Sequence, residues 1–191
     1  ARQLRPGYLV VHAPSMWEYK QWPIPHWVTL VGGLLAQGHQ VVLTGTAGDR
    51  DQASIAPLRS LGQAPQLLDA SGQLGLGQLR RLIEGAALYI GPDTSITHLA
   101  AACGTPCLAV FGPTNPLRWG PWPGAGEEKP AFQRHAETQA TGNVALVQGP
   151  QACVPCGRAG CEDHHHSRSD CLEAIGPEAL LARALFLLRE P

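Results

Sequence analysis

A polar turn at residues 91–98 carries the clearest chemistry in the sequence, because it joins a buried apolar run to a helix of small residues. Asp93, Thr94 and Ser95 stand at the predicted start of that helix, where unpaired backbone N–H groups and the positive end of the helix dipole favour a phosphate. His98 follows Thr94 by four residues and therefore lies on the same helix face. An ordinary helix cap with a packed histidine would use the same residues, and the spacing alone leaves both interpretations open.

A second polar loop follows the first apolar run and contains Ser15 and Lys20. Ser15 offers a hydroxyl, and the ammonium group of Lys20 is a point charge that suits a phosphate. The chain has one other lysine, Lys129, and Lys20 is flanked by Trp17 and Trp22. A solvated loop lysine is the alternative, since most lysines are exposed.

Two acids, Asp49 and Asp51, follow the second apolar run. In dinucleotide-binding folds, a carboxylate at such a position accepts hydrogen bonds from the ribose hydroxyls of the ligand. Acids equally favour the start of a helix, so a purely local role is the alternative.

A fourth candidate segment, the loop of residues 111–122, is rich in Pro, Gly and Trp, and its Gly112 would let the backbone approach a ligand closely. A rigid surface loop is the alternative there.

Four cysteines near the C-terminus have the spacing Cys153-x2-Cys156-x4-Cys161-x9-Cys171. This is half of a zinc-ribbon pattern, and three consecutive histidines at residues 164–166 add further ligand candidates. We therefore predict a structural zinc or iron ion held by the four cysteines. Free thiols packed under a loop, and disulfides such as Cys153–Cys156 or Cys161–Cys171, are the alternatives.

Short apolar runs alternate with helical stretches and must position these polar segments. The runs predicted as strands are residues 8–12, 40–44, 66–69, 87–90, 107–111 and 144–148, and helical spacing covers residues 26–37, 50–61, 76–84, 94–103 and 177–189. Continuous apolar strands joined by helices predict an α/β fold, a Rossmann-like doubly wound parallel sheet of about six strands. Such folds bind ligands beyond the carboxyl ends of their strands. We therefore expect the functional residues in the loops after the first, second, fourth and fifth strands.

Length and composition limit the class of protein. The chain has 191 residues, of which 44% are apolar and 15% charged, which fits one folded domain and excludes a disordered chain. A net charge of −1 does not fit a reader of duplex DNA, so we predict no nucleic-acid partner. The sequence has no run of 18 apolar residues and no secretory signal. It begins at Ala1 without Met, so we expect a domain cut from a longer protein.

Several of these segments, taken together, resemble a known family. The segments are His12 with Lys20-Gln21-Trp22-Pro23 and Trp27, residues 93–102, residues 104–106, residues 111–114, residues 118–121, and the four-cysteine pattern before the last helix. In this order they resemble the C-terminal half of the bacterial ADP-heptose:lipopolysaccharide heptosyltransferases, glycosyltransferase family 9. The resemblance covers nearly the whole chain, and the combination is far more specific than any single motif.

The resemblance implies a GT-B fold, in which two Rossmann-like domains enclose the active site and the C-terminal domain holds the nucleotide-sugar donor. Residues 1–191 would form this single donor-binding domain, with the Cys/His-rich segment 152–171 and the helix 177–189 appended. The N-terminal acceptor domain of the family would be absent from this chain.

The resemblance also implies a set of donor-binding residues. Ser15 and Lys20 would contact the donor phosphates. Asp93, Thr94, Ser95 and His98 belong to the turn that would form the phosphate cradle. Asp49 or Asp51 would bind the ribose. The chain departs from the family at two of these places. The family usually has Glu at the ribose and Gly where Ser95 stands. A serine weakens a cradle that needs close backbone approach, although its hydroxyl can donate to the phosphate.

The implied reaction is the inverting transfer of heptose from ADP-heptose to a hydroxyl of the lipopolysaccharide core or a related glycan. Lys20 and the helix dipole would stabilise charge on the departing diphosphate, and no cofactor is required. The general base is expected in the N-terminal domain, so we assign no catalytic residue here and expect the fragment alone to be inactive. The family implies a cytoplasmic enzyme at the inner face of the inner membrane, with peripheral membrane association of the full-length protein.

Two other functions stay open. A non-catalytic assembly module that binds a nucleotide sugar, or a metal through its cysteines, fits the serine at position 95 and the absent domain. Another GT-B enzyme, such as a sugar-nucleotide epimerase, needs acid and base carboxylates that face the sugar, and the sequence shows no clear set of them.

Overall fold

The apolar runs form one seven-stranded sheet in the structure, a computed structural model that describes residues 3–124 and 132–189. The strands are β1 (Leu9–Val11), β2 (Val41–Leu43), β3 (Leu67–Asp69), β4 (Leu88–Pro92), β5 (Cys107–Phe111), β6 (Thr138–Thr141) and β7 (Val144–Gln148). The helices are α1 (Ile24–Ala36), α2 (Asp49–Arg59), α3 (Leu76–Glu84), α4 (Ser95–Ala102), α5 (Pro116–Trp119), α6 (Asp170–Glu173) and α7 (Pro177–Leu187). A short 3-10 helix, Glu18–Lys20, lies between β1 and α1.

The strand order is β3-β2-β1-β4-β5-β7-β6, and every pairing is parallel except that of β6 with β7. β1 pairs with both β2 and β4, so the chain first builds the sheet toward one edge and then returns to build toward the other. The loops after β1 and β4 therefore diverge and leave a crevice at the carboxyl edge of the sheet. This crevice is where the fold class binds its ligands.

Hydrophobic residues fill both sides of the sheet, which explains why its strands read as continuous apolar runs. Leu9 and Val11 of β1 face a cluster that includes Leu30 and Leu34 of α1. Val10 faces the opposite cluster, which includes Ile83 of α3 together with Tyr89, Phe111 and Ala100. The alternation of side chains along a strand thus buries neighbouring residues of β1 in two separate cores.

The C-terminal helix α7 packs across α1 on one face of the sheet. A Cβ atom added to Gly33 would meet the methyl groups of Leu181, so the glycine lets the side chain of Leu181 pack directly on the backbone of α1. The indole of Trp22, which is buried in the same core, donates a hydrogen bond to the carbonyl of Ile175 at 3.0 Å. The loop that carries Lys20 is therefore tied to the chain segment just before α7.

The prediction of an α/β, doubly wound parallel sheet is confirmed, including all six predicted strands. The seventh strand, β6, was missed because Thr138–Thr141 has little apolar pattern of its own, and its pairing with β7 is what makes it a strand. The proline-rich loop after β5 also contains a short helix, α5, that the sequence did not predict. Within the described residues, no helix has the length and apolar character needed to cross a bilayer.

Candidate functional site

A cleft of about 980 Å³ opens at the carboxyl edge of the sheet, over the ends of β1, β2 and β4. All eight residues that the sequence selected for the donor site line it: Ser15, Lys20, Asp49, Asp51, Asp93, Thr94, Ser95 and His98. The structure therefore brings together three loops that are distant in sequence. The loops after β1, β2 and β4 line this cleft together, and the segment after β5 contributes Trp119 to it.

The start of α4 forms one wall of this cleft. Thr94 occupies the N-cap position in an extended conformation, but its hydroxyl makes no capping hydrogen bond. The alternative of an ordinary helix cap therefore matches the position of Thr94 but lacks the capping hydrogen bond. Since a side chain does not satisfy the first turn, the N–H groups and the positive dipole end are directed at whatever occupies the cleft.

The ammonium group of Lys20 lies at this helix start, with Nζ 2.7 Å from Oδ2 of Asp93. The side chain of Asp93 is 6% exposed and that of Lys20 is 21% exposed, so the pair is shielded from solvent. A shielded ion pair costs desolvation energy and holds the geometry of its partners. Here it holds one positive charge beside the N-terminus of α4.

His98 stands one turn into α4 and is half-buried beside the same ion pair. Burial lowers the pKa of His98 from its ordinary value, the charge of Asp93 opposes this, and the charge of Lys20 adds to it. His98 is therefore neutral at pH 7, and one ring nitrogen can donate a hydrogen bond without adding a second positive charge.

Ser15 is buried and organises the loop that leads to Lys20. Its hydroxyl donates to the carbonyl of Trp17 at 3.1 Å, and its backbone N–H donates to Oε1 of Gln21 at 3.0 Å. The side-chain amide of Gln21 in turn donates to the carbonyl of Ala13 at 2.9 Å. The hydroxyl that the sequence offered to a phosphate is thus already used to shape the turn.

The two acids after β2 differ in their surroundings. Oδ2 of Asp51 accepts a hydrogen bond from the backbone N–H of Thr46 at 2.7 Å and so closes the loop before α2. Asp49 is the first residue of α2, is exposed, and faces the cleft. Of the two, Asp49 has the carboxylate that is available to a ligand hydroxyl, whereas Asp51 fits the local alternative.

Sequence reasoning did not select His12 as a site residue, although it is part of the first shared segment. Its ring is buried at the end of β1, and Nδ1 is 3.1 Å from Oγ1 of Thr44. Burial lowers the pKa of His12 to about 4, although the charge of Asp51 opposes this. His12 is therefore a neutral hydrogen-bonding residue at the floor of the cleft.

The cleft is also lined by apolar side chains that the sequence did not predict. Leu74, Leu76, Leu79, Ile96 and Trp119 line it. Two of these side chains are largely exposed, Leu76 at 69% and Trp119 at 54%. Large apolar groups left open to solvent beside charged ones indicate a ligand with an apolar part. The signal is absent from the sequence because it depends on the meeting of three distant segments.

The cysteine segment lies outside the cleft. Cys171 is buried, whereas Cys153, Cys156 and Cys161 are exposed, and all are free thiols, so the disulfide alternative is wrong in this structure. Burial and the nearby Cys156, Cys161 and Cys153 raise the pKa of the Cys171 thiol to about 12. In the part of the chain that the structure describes, no three His, Cys, Asp or Glu side chains are grouped to hold a metal ion. The four predicted cysteine ligands therefore lie in the same region, but within the described residues their side chains are not grouped around a common point that could hold a metal ion.

Fold and cleft together define a Rossmann-like α/β domain with a partly polar cleft at its topological switch point. The family model for glycosyltransferase family 9 (heptosyltransferase) matches residues 1–141, and the chain belongs to this family. Lipopolysaccharide heptosyltransferase 3 of Escherichia coli is 31% identical over 116 residues, which are 61% of this chain and 34% of that protein. The chain thus spans about a third of the length of this curated relative.

Three solved structures share the fold of this chain, although their sequences are only 16–20% identical to it. The E. coli ADP-heptose lps heptosyltransferase II matches with a TM-score of 0.74 and 20% identity, over 96% of this chain and 47% of that one. E. coli heptosyltransferase WaaC with ADP matches with a TM-score of 0.69 and 20% identity, over 95% of this chain and 45% of that one. TibC of enterotoxigenic E. coli is a dodecameric iron-containing heptosyltransferase that was solved with ADP-D-beta-D-heptose. It matches with a TM-score of 0.65 and 16% identity, over 99% of this chain and 47% of that one.

Proposed function

We propose that the cleft binds a nucleotide-sugar donor, ADP-heptose, for an inverting heptosyl transfer. The observation that carries this proposal is the position of Lys20, which is held by Asp93 at the uncapped start of α4. A helix N-terminus together with a lysine ammonium and a neutral histidine, His98, suits the two phosphates of a nucleoside diphosphate. The solved relatives include complexes with ADP and ADP-heptose, which support the same ligand.

The remaining walls of the cleft suit the rest of such a donor. Exposed apolar side chains that line the cleft, such as Leu76 or Trp119, can cover a planar base, and Asp49 can accept a hydrogen bond from a ribose hydroxyl. A volume of about 980 Å³ lies at the upper end of ordinary ligand sites, which fits a nucleotide with a sugar attached.

The chemical contribution of this chain is electrostatic. When the bond between the sugar and the diphosphate breaks, negative charge grows on the departing oxygen. Lys20, held by Asp93, and the α4 dipole would stabilise this charge from fixed positions, so they would need little reorganisation in the transition state. The chain would therefore bind the donor and stabilise its leaving group. This step needs no metal ion in principle.

The acceptor and the general base belong to the full-length protein in this proposal. The chain spans 34% of the first curated relative, and its sequence offers no residue that we assign as the general base. We propose that the whole enzyme transfers heptose to the lipopolysaccharide core or a related glycan, and that this fragment alone is inactive. Its place of work, the cytoplasmic face of the inner membrane, rests on the family resemblance.

Calorimetric titration tests the donor proposal directly. ADP-heptose and ADP should both bind with measurable heat, ADP-heptose more tightly, and UDP should bind at least about tenfold more weakly than ADP, a difference of about 1.4 kcal/mol. Equal affinity for ADP and UDP would contradict the assignment of the base. No binding of any nucleotide at millimolar concentration would contradict donor binding by this chain.

A non-catalytic module is the second function to test, since Ser95 replaces the glycine usual in the family. The full-length protein separates the two. Release of ADP from ADP-heptose in the presence of a lipopolysaccharide acceptor supports the enzyme. Tight ADP-heptose binding without any release of ADP supports the module.

The metal prediction for the cysteines is independent of donor binding. It is supported by the closeness of Cys171 to the other three thiols and by the iron-containing relative. The thiols do not form a ligand set in the arrangement described, so they would have to move together around an ion, and we derive no step through a metal. Elemental analysis of protein purified without chelators decides this. About one equivalent of zinc or iron, lost in a Cys153→Ser/Cys156→Ser variant, would support the site, and metal-free protein would contradict it.

A further inference from the structure

His12, at the floor of the cleft, has one ring nitrogen that the fold uses and one that it leaves free. Nδ1 lies 3.1 Å from Oγ1 of Thr44, the residue that follows β2. Nε2 makes no hydrogen bond with the residues that the structure describes, yet it is not among the polar atoms that are sealed from solvent. The residue is only 6% exposed and lines the cleft, so the free nitrogen is open to a ligand there.

The hydrogen bonds of Thr44 assign the position of the ring proton. The hydroxyl of Thr44 has one hydrogen, which it donates to the carbonyl of Val11 at 3.4 Å. That hydroxyl therefore accepts from His12, and the proton of the imidazole lies on Nδ1. Burial, against the opposing charge of Asp51, lowers the pKa of His12 to about 4, so the ring is neutral at pH 7. Nε2 consequently presents a lone pair to the cleft and accepts a hydrogen bond rather than donating one.

A lone pair at this place requires a ligand group that donates. The phosphates of a nucleoside diphosphate are ionised at pH 7 and offer acceptor oxygens, so they do not suit it. The hydroxyls of the ribose do suit it, and their expected place agrees. The bond to Thr44 holds the ring toward β2, and in Rossmann-like folds the ribose lies over the residues that follow this strand.

We propose that Nε2 of His12 accepts a hydrogen bond from one of the two ribose hydroxyls of the donor. This inference rests on the proposed function, because it takes the ligand to be a nucleoside diphosphate with its phosphates at Lys20. Asp49, which is exposed at the start of α2, offers the other acceptor to the ribose. The cleft would then select a ribonucleotide through one acceptor at its rim and one at its floor.

Two substitutions separate the roles of the two ring nitrogens. In His12→Asn, the short side-chain amide can keep the bond to Thr44 but has no atom where Nε2 stands. In His12→Gln, the longer side chain reaches the position of Nε2, and its carbonyl oxygen can accept a hydrogen bond there. His39→Asn is the matched control, because His39 precedes β2 at the opposite edge of the sheet and does not line the cleft.

Calorimetry with ADP, 2′-deoxy-ADP and 3′-deoxy-ADP tests the proposal. The wild type and His39→Asn should bind the analogue that lacks the contacted hydroxyl about three- to tenfold more weakly than ADP. His12→Asn should bind ADP and that analogue equally, whereas His12→Gln should keep most of the preference. A purely structural role of His12 would instead weaken the binding of all three nucleotides alike.

Long-range ¹H–¹⁵N spectra of the wild type provide a measurement that needs no stable variant at position 12. In the free protein, Nε2 of His12 should be unprotonated and Nδ1 protonated. ADP at saturation should shift the Nε2 signal, and the analogue that lacks the contacted hydroxyl should shift it far less.

Several results would overturn the proposal. In the wild type they are a protonated Nε2, no shift of its signal with ADP, and equal affinity for ADP and both analogues. In His12→Asn they are an unchanged preference for ADP and an equal weakening of all three nucleotides. Any of these results in a protein that binds ADP rejects the role of His12 and leaves the donor proposal standing. If the wild type binds no ADP at all, the donor proposal fails and this inference fails with it.

Discussion

At the scale of single residues, His12 shows how burial converts a polar side chain into a pH-dependent part of the fold. Its pKa is lowered to about 4 by burial, whereas a histidine in the unfolded chain has a pKa near 6.5. Between these two values the unfolded state binds a proton that the folded state does not. The free energy of unfolding must therefore fall as the pH falls through this window.

We predict that the free energy of unfolding at pH 5 is about 2 kcal/mol lower through His12 alone than at pH 7.5. Urea unfolding of the wild type and of His12→Gln at both pH values measures this. Glutamine cannot take up the proton, so the variant should show a smaller pH dependence. An identical pH dependence in wild type and His12→Gln would contradict the argument.

Single residues also show how far the sequence could predict the site. Lys20, Thr94 and His98 were selected because their chemistry follows from type and spacing, and they do meet in one cleft. The partner of Lys20, Asp93, and the hydrogen bond that occupies the hydroxyl of Ser15 depend on distances that spacing does not contain.

At the scale of elements, the segment 164–169 packs against the 3-10 helix that carries Lys20. The ring of His165 lies 4.0 Å from that of Trp17 and 6.0 Å from that of Tyr19. The carbonyl of His165 accepts from the backbone N–H of Glu18 at 3.2 Å, and the hydroxyl of Ser169 donates to the carbonyl of Tyr19 at 2.7 Å. One of the three histidines that the sequence offered as metal ligands, His165, thus supports the turn that carries Lys20.

This packing predicts a positioning role for His165 that depends on its ring. His165→Ala should weaken ADP binding about two- to tenfold, because the lost ring contacts with Trp17 and Tyr19 loosen the turn that presents Lys20. His165→Phe keeps a ring in place and should restore most of the affinity. Calorimetry with ADP on the two variants checks this. Equal weakening by both would contradict a role for stacking, and no weakening by Ala would contradict a role in positioning.

A second element-scale prediction concerns the end of β7, where the chain passes close to α6. A Cβ atom on Gly149 would lie 2.0 Å from the carbonyl oxygen of Cys171, and a backbone atom cannot turn aside as a flexible side chain can. Gly149→Ala should destabilise the protein by about 1–3 kcal/mol.

Gly77 in α3 provides the matched control, because a Cβ atom added there would have nothing within 4 Å and the residue is exposed. Gly77→Ala should stabilise the protein by up to about 1 kcal/mol. Thermal unfolding of both variants makes the comparison. A Gly149→Ala protein as stable as the wild type would show that the end of β7 does not approach α6 this closely.

The elements themselves were largely predictable. Six parallel strands were found because buried parallel strands read as apolar runs separated by glycine-terminated helices. β6 could not be found, since an edge strand such as Thr138–Thr141 gains its conformation from its neighbour rather than from its own residues. The short helix α5 was missed for a different reason: a single turn that begins at Pro116 and is capped by Asn115 is too short to show a helical period.

At the scale of the whole molecule, distant segments of the chain meet around Lys20 at the carboxyl edge of the sheet. The cleft at this edge is lined by residues that follow β1, β2 and β4. Asp93, after β4, pairs with Lys20, and the ring of His165, near the C-terminus, packs against Trp17 at the start of the same turn. The position of Lys20 therefore depends on segments from both halves of the chain.

The central claim is that Lys20 at the start of α4 binds the second phosphate of a nucleoside diphosphate, and calorimetry with ADP and AMP tests it most directly. The wild type should bind ADP more tightly than AMP, because AMP lacks the group that Lys20 contacts. Lys20→Ala should weaken ADP binding about tenfold or more, leave AMP binding nearly unchanged, and so remove the preference. Arg81→Ala, which also removes one positive charge, should bind both nucleotides like the wild type. A Lys20→Ala protein that keeps the wild-type affinity for ADP would contradict the account.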